Sequence, residues 1–107
     1  MNKYMAKKTY VDGICFASKK EAARYVDLKR IESAGYISNL RLQVKFELAP
    51  SVVLNGRKRP PIRYIADFVY DKSGSQIVED VKGILTPIYR LKKHLMKSVH
   101  GIDIVES

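Results

Sequence analysis

Two short runs of branched and aromatic residues, 64–70 and 76–83, flank the sequence Asp-Lys-Ser-Gly-Ser, and this pattern predicts a β-hairpin. Both predicted strands carry charged residues in their interiors, where an unpaired charge is costly to bury. These residues are Asp67 in the first strand and Glu79, Asp80 and Lys82 in the second. Because so many charges in apolar strands need compensation, the hairpin is the first candidate for a metal site.

A chain of 107 residues with 46% hydrophobic content suits one domain with a modest core and is too apolar to be disordered. We expect a basic N-terminal arm at residues 1–9 and a single domain at residues 10–107. No apolar run approaches the roughly 20 residues of a membrane span. The basic start lacks the apolar segment of a signal peptide. The sequence therefore predicts a cytoplasmic protein with no membrane partner.

The formal net charge is +9, from 20 Lys and Arg residues against 11 Asp and Glu residues. Such an imbalance in a small domain favours nucleic acid as the partner. An anionic membrane surface is the rival, but the sequence has no basic amphipathic helix with an aromatic apolar face. Cys15 is the single cysteine, which excludes an internal disulfide and a cysteine-based zinc site.

Two helices are indicated by their ends. Ser18 and Glu21 form the S-x-x-E pattern of a capping box, which predicts a helix at about residues 19–34 that ends before Gly35. Thr86 followed by Pro87 predicts the start of a second helix. We expect its apolar stripe to face the core, and this stripe consists of Ile88, Leu91, Leu95 and Val99.

The remaining segments are predicted to be strands. Residues 37–48 alternate between apolar and polar side chains, which is typical of a half-buried strand. Its apolar residues, expected on one face, are Leu40, Leu42, Val44, Phe46 and Leu48. With the hairpin and a last strand near residues 102–105, the order is helix, three strands, helix and strand. This order predicts a domain of the α/β (α+β) class with a small mixed central sheet.

The loop of the predicted hairpin decides which charged side chains meet. Side chains alternate across a strand, so Asp80 and Lys82 lie on one face and Glu79 on the other. A four-residue loop at 71–74, ending in glycine, would leave Asp67 on the face of Asp80. A five-residue loop would pair Asp67 with Glu79 instead. Glu79 is therefore kept as the alternate metal ligand.

Two carboxylates suit Mg²⁺, which prefers hard oxygen ligands and keeps positions for water and a substrate phosphate. Asp67 and Asp80 are therefore candidate metal ligands. Lys82 beside them can orient or help deprotonate an attacking water and stabilise developing negative charge. Glu21 is either part of the helix cap or a carboxylate that points inward, and the sequence leaves both interpretations open.

Several residues are candidates for contact with DNA. Arg57, Lys58 and Arg59 follow an Asn-Gly turn and form a basic loop, which either contacts phosphates or is merely solvated. Gln43 would lie near the acids if the first two strands are neighbours. Tyr89, in the first turn of the second helix, either contacts a phosphate or packs against the sheet. The other candidates are on the second helix: Arg90, Lys92 and Lys93.

Four segments carry a resemblance to a known family: residues 13–25 (GICFASKKEAARY), 43–44 (QV), 64–70 (YIADFVY) and 78–83 (VEDVKG). They resemble small phage and prophage proteins of unassigned function, DUF1064-like, over about residues 10–106. The arrangement is also similar to the PD-(D/E)xK nuclease superfamily. The proline usual before the first acid of that superfamily is replaced by Ala66.

The resemblance implies a restriction-endonuclease-like core and hydrolysis of phosphodiester bonds in DNA with Mg²⁺, for which Mn²⁺ can substitute. It implies catalytic roles for Asp67, Asp80, Lys82 and Glu21, with the three acids as metal ligands. Related nucleases include Holliday-junction resolvases and transposon-end-cutting subunits. We therefore expect a structure-specific endonuclease that acts on branched DNA in phage recombination or replication, within a bacterial host or phage-infected cell. A homodimer is expected if two strands are cut. The alternative is a non-catalytic basic module that binds nucleic acid.

Overall fold

The computed structural model describes residues 7–82 and 85–107. This part of the chain contains the helices α1 (Lys19–Ser33) and α2 (Pro87–His100). Its strands are β1 (Thr9–Val11), β2 (Ile14–Phe16), β3 (Ser38–Ala49), β4 (Val52–Leu54), β5 (Arg57–Arg59), β6 (Ile62–Lys72), β7 (Ser75–Asp80) and β8 (Val105–Glu106). Strands β3, β6, β7 and β8 form a four-stranded sheet in that order, in which β8 is parallel to β7 and the other pairs are antiparallel. The predicted α+β class and mixed central sheet are confirmed.

Both helices begin where their caps predict. The Ser18 hydroxyl accepts a hydrogen bond from the N–H of Glu21 at 3.1 Å, and the Thr86 hydroxyl accepts one from the N–H of Tyr89 at 3.1 Å. Helix α1 is followed by Gly35 in the left-handed conformation, with φ of 85°. Local capping therefore fixes the ends of the helices that flank the sheet. The last strand, β8, begins three residues later than the predicted 102–105 segment.

Among the described residues, the sheet separates two hydrophobic clusters. The α1-side cluster contains Phe16, Ala22, Tyr25, Leu28, Ile37, Phe68 and Tyr70. The α2-side cluster contains Leu48, Tyr64, Ala66, Val69, Val78, Tyr89, Met96 and Ile104. The sheet is therefore covered on both faces, which explains why strand β6 supplies apolar side chains to both clusters.

Strand β3 changes the direction of its side chains at Gln43. Leu40 and Leu42 pack with the α1-side cluster, whereas Val44 and Phe46 pack with the α2-side cluster. Gln43 has a φ of 53°. A residue in this left-handed region breaks the two-residue alternation of a strand. The prediction that the apolar residues of β3 share one face was therefore wrong.

Strand β6 changes the direction of its side chains at the same level of the sheet. Ala66 packs with the α2-side cluster and Phe68 with the α1-side cluster. The register of β3 against β6 places Gln43 opposite Asp67, which lies between these two residues. The sheet therefore contains a seam, defined by Gln43 and Asp67, at which both strands exchange the faces that they present.

The β6–β7 hairpin closes through Ser73 and Gly74, whose φ values are 50° and 79°. Positive φ at both central residues is the signature of a type I′ turn. Since the register pairs Phe68 with Glu79, the predicted four-residue loop was wrong. The observed loop has two residues, two fewer than the predicted one. Because side chains alternate with a period of two, Asp67 and Asp80 keep the shared face that was predicted for them. Continuing this register places Asp67 opposite Asp80.

Helix α2 packs against the sheet over a narrower side than the sequence predicts. Tyr89 and Met96 are buried. Three members of the predicted core stripe are instead more than half exposed: Ile88, Leu91 and Val99. The stripe was therefore a wrong prediction for these residues, and Leu95 is its partly buried member.

The predicted arm at residues 1–9 lies largely outside the described residues, and Thr9 already belongs to β1. In residues 7–82 and 85–107, no helix has the length and apolar character needed to cross a membrane.

Candidate metal and nucleic-acid site

Asp67 lies at the seam with both carboxylate oxygens engaged. Its Oδ2 accepts a hydrogen bond from the N–H of Val81 at 2.9 Å, and its Oδ1 accepts one from Nε2 of Gln43 at 3.4 Å. Burial, followed by contact with the Asp80 carboxylate, raises the pKa of Asp67 to about 8, and the charge of Glu21 acts in the same direction. A cation bound beside Asp67 would favour its ionised form and so lower this pKa.

Asp80 ends strand β7 and is 2% exposed. The Nζ atom of Lys82 lies 2.7 Å from its Oδ2 and 4.0 Å from the ring centroid of Tyr89. The Lys82 backbone is held as well, because its N–H donates to the carbonyl of Ser107 at 3.1 Å and its carbonyl accepts from Nζ of Lys20 at 2.9 Å. Lys82 is therefore fixed beside the two acids.

Two buried polar atoms of this cluster have no hydrogen-bond partner in the described part of the chain: the Tyr64 hydroxyl and Oδ2 of Asp80. The Lys82 ammonium is close to that oxygen but is not aligned with it as a hydrogen-bond donor. Burial and the neighbouring Asp80 raise the pKa of Tyr64, so its hydroxyl keeps its proton.

An unsatisfied buried polar atom costs roughly 1–3 kcal/mol. Lys82 offsets part of this cost at Oδ2 of Asp80, and a divalent cation bound between Asp67 and Asp80 would offset the rest and allow both acids to ionise. Carboxylate oxygens are also the ligands that Mg²⁺ prefers. The residues present therefore fit a hard divalent cation.

The two acids open onto a depression of about 290 Å³ on the α2 side of the sheet. Asp67, Asp80 and Lys82 line it together with two further cations, Arg63 from β6 and Lys92 from α2. The depression is thus acidic at its base and basic at its rim. This distribution suits an anion that is bound through a cation.

Glu21 and Gln43 meet Asp67 at a second depression of about 290 Å³, on the α1 side. Glu21 is 8% exposed. The Ser18 cap uses the Glu21 N–H, and within residues 7–82 and 85–107 the Glu21 carboxylate forms no return bond to Ser18. Of the two interpretations of Glu21, the structure favours the inward carboxylate. Gln43 lies beside the acids, as expected for neighbouring strands.

Among the residues that the structure describes, no three His, Cys, Asp or Glu side chains are grouped closely enough to hold a metal ion. Asp67 and Asp80 are a pair, and Glu21 lies on the other side of Asp67. Sites of Mg²⁺ in proteins commonly use one or two carboxylates and complete the shell with water and substrate phosphate. A ligand role for Glu21 stays a prediction.

Glu79 points away from this cluster. It is 0% exposed and accepts hydrogen bonds from two N–H groups of the Arg24 guanidinium, at 2.5 and 3.0 Å. The hydroxyls of Tyr70 and Ser107 donate to it at 2.7 and 2.8 Å. Burial alone would raise the pKa of Glu79, but these hydrogen bonds outweigh burial and lower it. The alternative in which Glu79 is the metal ligand was therefore wrong, since its oxygens are occupied on the opposite face.

The basic candidates for DNA contact lie in different settings. Arg57, Lys58 and Arg59 form the exposed strand β5. On α2, Arg90 is exposed, Lys92 lies at the rim of the acidic depression, and Lys93 pairs with Glu106 at 3.1 Å. These residues share a positive charge but belong to two separate elements, β5 and α2.

Tyr89 is 6% exposed, and its hydroxyl donates to Oε2 of Glu106 at 2.6 Å. This hydroxyl therefore has a partner inside the fold, and contact of Tyr89 with DNA stays a prediction. The packing alternative is confirmed, and the ring supports the Lys82 ammonium.

Three residues around the site were not found from the sequence: Arg24, Tyr64 and Ser107. Arg24 follows Glu21 by three positions on α1, so their shared side of the helix was a usable signal. Tyr64 and Ser107 gave no local signal, because their roles depend on how strands β6 and β8 pack around β7.

Comparison with protein families matches residues 1–102 to the family described as "Protein of unknown function (DUF1064)". The match spans nearly the whole chain, and the protein belongs to this family. Neither the curated proteins nor the solved structures gave a match. The predicted likeness to DUF1064 proteins is thus confirmed, and the wider likeness to PD-(D/E)xK nucleases stays a prediction.

Proposed function

We propose that this protein is a Mg²⁺-dependent endonuclease that hydrolyses phosphodiester bonds in DNA. One observation carries the proposal: Asp67, with a pKa raised to about 8, lies against Asp80, whose buried Oδ2 has no hydrogen-bond partner in the described part of the chain. The Nζ atom of Lys82 lies 2.7 Å from the same Oδ2 of Asp80. Glu79 is held by hydrogen bonds from Arg24, Tyr70 and Ser107, whereas Asp80 is paired with Lys82 alone among the described residues and lines an open depression.

Asp67 and Asp80 would hold the cation. When bound, Mg²⁺ neutralises charge on a phosphate oxygen and lowers the pKa of a coordinated water. Lys82 orients the attacking water and stabilises the negative charge that develops on the phosphate. Its position depends on the Tyr89 ring and on two backbone hydrogen bonds, so little reorganisation is needed when substrate binds.

The other residues of the site assist binding. Glu21 is the third acid, and its charge beside Asp67 favours a cation at the seam. Gln43 holds Oδ1 of Asp67 in place. Arg63 and Lys92 at the rim are placed to bind phosphates on either side of the scissile bond. The net charge of +9 draws a polyanion toward this surface.

The proposal is tested by incubating the purified protein with four-way junctions, flaps, duplex and single-stranded DNA, in Mg²⁺, Mn²⁺ or EDTA. Nicking that needs the metal and is lost in Asp80→Ala and in Lys82→Ala is expected. The matched control is Asp103→Ala and Lys97→Ala, an exposed acid–lysine pair elsewhere on the surface. Absence of nicking on every substrate, or nicking that survives both site substitutions, would refute the proposal.

The same panel identifies the substrate. Faster cleavage of junctions and flaps than of linear duplex supports a structure-specific enzyme of phage recombination or replication. A domain with one site cuts one strand at a time, so coordinated cutting of two strands requires a homodimer. Gel filtration with and without junction DNA measures this directly.

A non-catalytic module that binds nucleic acid is the second candidate, and the exposed basic strand β5 favours it. It predicts binding that needs no metal, weakens steeply with salt, and persists in Asp67→Ala. Binding with these properties and no cleavage would replace the endonuclease proposal.

A further inference from the structure

A β-ribbon, defined as β4, β5 and the turn at Asn55 and Gly56, pairs only with itself among the described residues and does not join the four-stranded sheet. All of its strand residues are exposed. Asn55 and Gly56 have φ values of 51° and 76°, which give a type I′ turn that matches the twist of paired strands. The ribbon is therefore an ordered element that projects its side chains into solvent.

The ribbon combines aliphatic and cationic side chains. Its three cross-strand pairs are Val52 with Arg59, Val53 with Lys58, and Leu54 with Arg57. Directly opposed residues share a face, so each exposed aliphatic side chain stands beside a cation. Residues 50–66 contain no Asp or Glu. This surface is complementary to a polyanion that also offers apolar contacts, and it has no acid to repel one.

The dimensions of the ribbon select among nucleic acids. Paired strands lie about 4.8 Å apart, and with side chains a ribbon fills the roughly 12 Å major groove of B-form DNA, which is known to admit such ribbons. The minor groove, at about 6 Å, is too narrow. The major groove of A-form RNA is deep and narrow, so side chains cannot read it.

One cation, Arg63, lies along the chain between the ribbon and the site. Strand β6 begins at Ile62, just beyond β5, and its second residue, Arg63, lines the acidic depression. The five steps from Ile62 to Asp67 cover about 17 Å at roughly 3.3 Å per residue. At about 3.4 Å per base pair, this is roughly five base pairs. On a duplex that runs parallel to β6, the ribbon therefore lies about five base pairs from Asp67.

We propose that the ribbon inserts into the major groove of double-stranded DNA beside the cleavage point, so that the substrate must carry a duplex arm on that side. The face that carries Arg57 and Arg59 with Val52 and Leu54 enters the groove, whereas Lys58 on the other face contacts flanking phosphates. The position of the cut rests on the proposed endonuclease function, whereas binding of the ribbon to the groove does not.

The first test measures binding in EDTA, where no cleavage occurs. The ribbon variant carries Arg57→Gln, Lys58→Gln and Arg59→Gln. A control with the same loss of charge carries Arg30→Gln, Lys72→Gln and Lys97→Gln, all exposed and outside the ribbon. We expect the ribbon variant to bind a 30-base-pair duplex roughly 100-fold more weakly, with a salt slope smaller by about 2.7, and the control to lose far less. Equal losses in the two variants would overturn the proposal.

The second test separates the groove from other partners. Glucosylated 5-hydroxymethylcytosine fills the major groove, so duplex carrying it should bind the wild-type protein as weakly as plain duplex binds the ribbon variant. Single-stranded DNA and double-stranded RNA should show a small difference between wild type and variant. A full effect of the ribbon on either of these, or unchanged binding to the glucosylated duplex, would exclude insertion into the major groove.

The third test uses junctions and flaps whose duplex arm is shortened. Cleavage should fall once the arm on the ribbon side has fewer than about eight base pairs, a number that adds the ribbon's own length to the five-base-pair offset. If the binding results hold and no substrate is cut, the endonuclease proposal fails and the ribbon proposal stands. If cleavage occurs and does not depend on arm length, the ribbon proposal fails alone.

Discussion

Glu79 and Asp80 are adjacent in β7 and both are almost fully buried, yet their surroundings are opposite. Glu79 receives four hydrogen bonds from three side chains, and its pKa is lowered. Asp80 faces Asp67, whose pKa is raised, and its Oδ2 pairs with the Lys82 ammonium but has no aligned hydrogen-bond donor among the described residues. Since the same strand supplies both acids, the difference comes from the side chains that surround them.

The comparison separates two uses of a buried carboxylate. At Glu79 every interaction is satisfied within the fold, which is what stability requires of a buried charge. At Asp80 part of the interaction is missing, which lowers stability and leaves room for a ligand. Under-satisfied, mutually repelling acids in an open depression are candidates for function for this physical reason.

The largest effect expected is on activity at Asp80. Asp80→Asn keeps the shape of the side chain but halves the charge available to a cation, so cleavage should fall on the order of 10⁴-fold, or about 5.5 kcal/mol of transition-state stabilisation. Single-turnover cleavage of the best substrate measures it. Glu79→Gln, assayed where it is folded, is the matched control and should retain cleavage within a few-fold. Similar losses in both variants would erase the distinction between the two acids.

The next effect is on stability at Glu79. Glu79→Gln leaves the Arg24 guanidinium without its counter-charge and should lower the free energy of unfolding by about 3 kcal/mol. Asp80→Asn breaks an ion pair whose lysine is partly exposed, so it should lower stability by less than Glu79→Gln does. Urea unfolding at pH 7 without divalent ions compares them. A larger loss for Asp80→Asn than for Glu79→Gln would contradict the assignment of Glu79 as the structural acid.

A smaller effect is expected from pH. Because the pKa of Asp67 is raised to about 8 from an unfolded value near 3.9, the folded state holds an extra proton between these values. Its stabilising contribution is complete below about pH 4 and is lost as pH rises through 8. Asp67→Asn has no such loss, so at pH 8.5 in EDTA it should be more stable than wild type, with no difference near pH 4. Because solvent screens the partly exposed Asp67, we expect a gain on the order of 2 kcal/mol, less than the full pKa difference would give.

Thermal unfolding of the two proteins across this pH range makes the measurement. Asp103→Asn serves as the control, because Asp103 is exposed and its substitution should produce no comparable pH-dependent difference. A pH-independent gap between wild type and Asp67→Asn would show that the proton at Asp67 is not responsible.

The smallest effect concerns the metal itself. Mg²⁺ at ten times its dissociation constant should stabilise the wild-type protein by about 1.4 kcal/mol. Asp67→Asn and Asp80→Asn should show little or none of this gain, whereas Glu79→Gln should keep it. Thermal shift with Mg²⁺ and with an equal ionic strength of K⁺ measures binding without reference to cleavage. Equal stabilisation of all four proteins would place the cation elsewhere.

Much of the framework could be predicted because the signals were local. The caps at Ser18 and Thr86 fixed the starts of both helices, and strand alternation put Asp80 opposite in direction to Glu79. Asp67 and Asp80 share a face as predicted even though the predicted loop was wrong. The observed turn is two residues shorter than the predicted one, and a shift of two residues preserves the faces of a strand.

Other features could not be predicted because they depend on distant parts of the chain. Gln43 has a left-handed backbone conformation and lies opposite Asp67 on the neighbouring strand. No local sequence pattern predicts this conformation. The partner of Glu79 is Arg24, on a helix 55 positions away. The exposure of Ile88 on α2 depends on how much of that helix the sheet can cover, which an amphipathic stripe does not specify.

The seam has a consequence for how such a site arises. If Gln43 and Asp67 were deleted together, Ala66 would stand next to Phe68, and ordinary alternation would put each on the face that it occupies now; β3 would behave likewise. The pair therefore acts as two opposed single-residue insertions in an otherwise regular ladder. An acid introduced in this way enters a covered sheet, and every core side chain stays in its own hydrophobic cluster. The chemistry of the site and the packing of the fold can therefore vary separately between relatives.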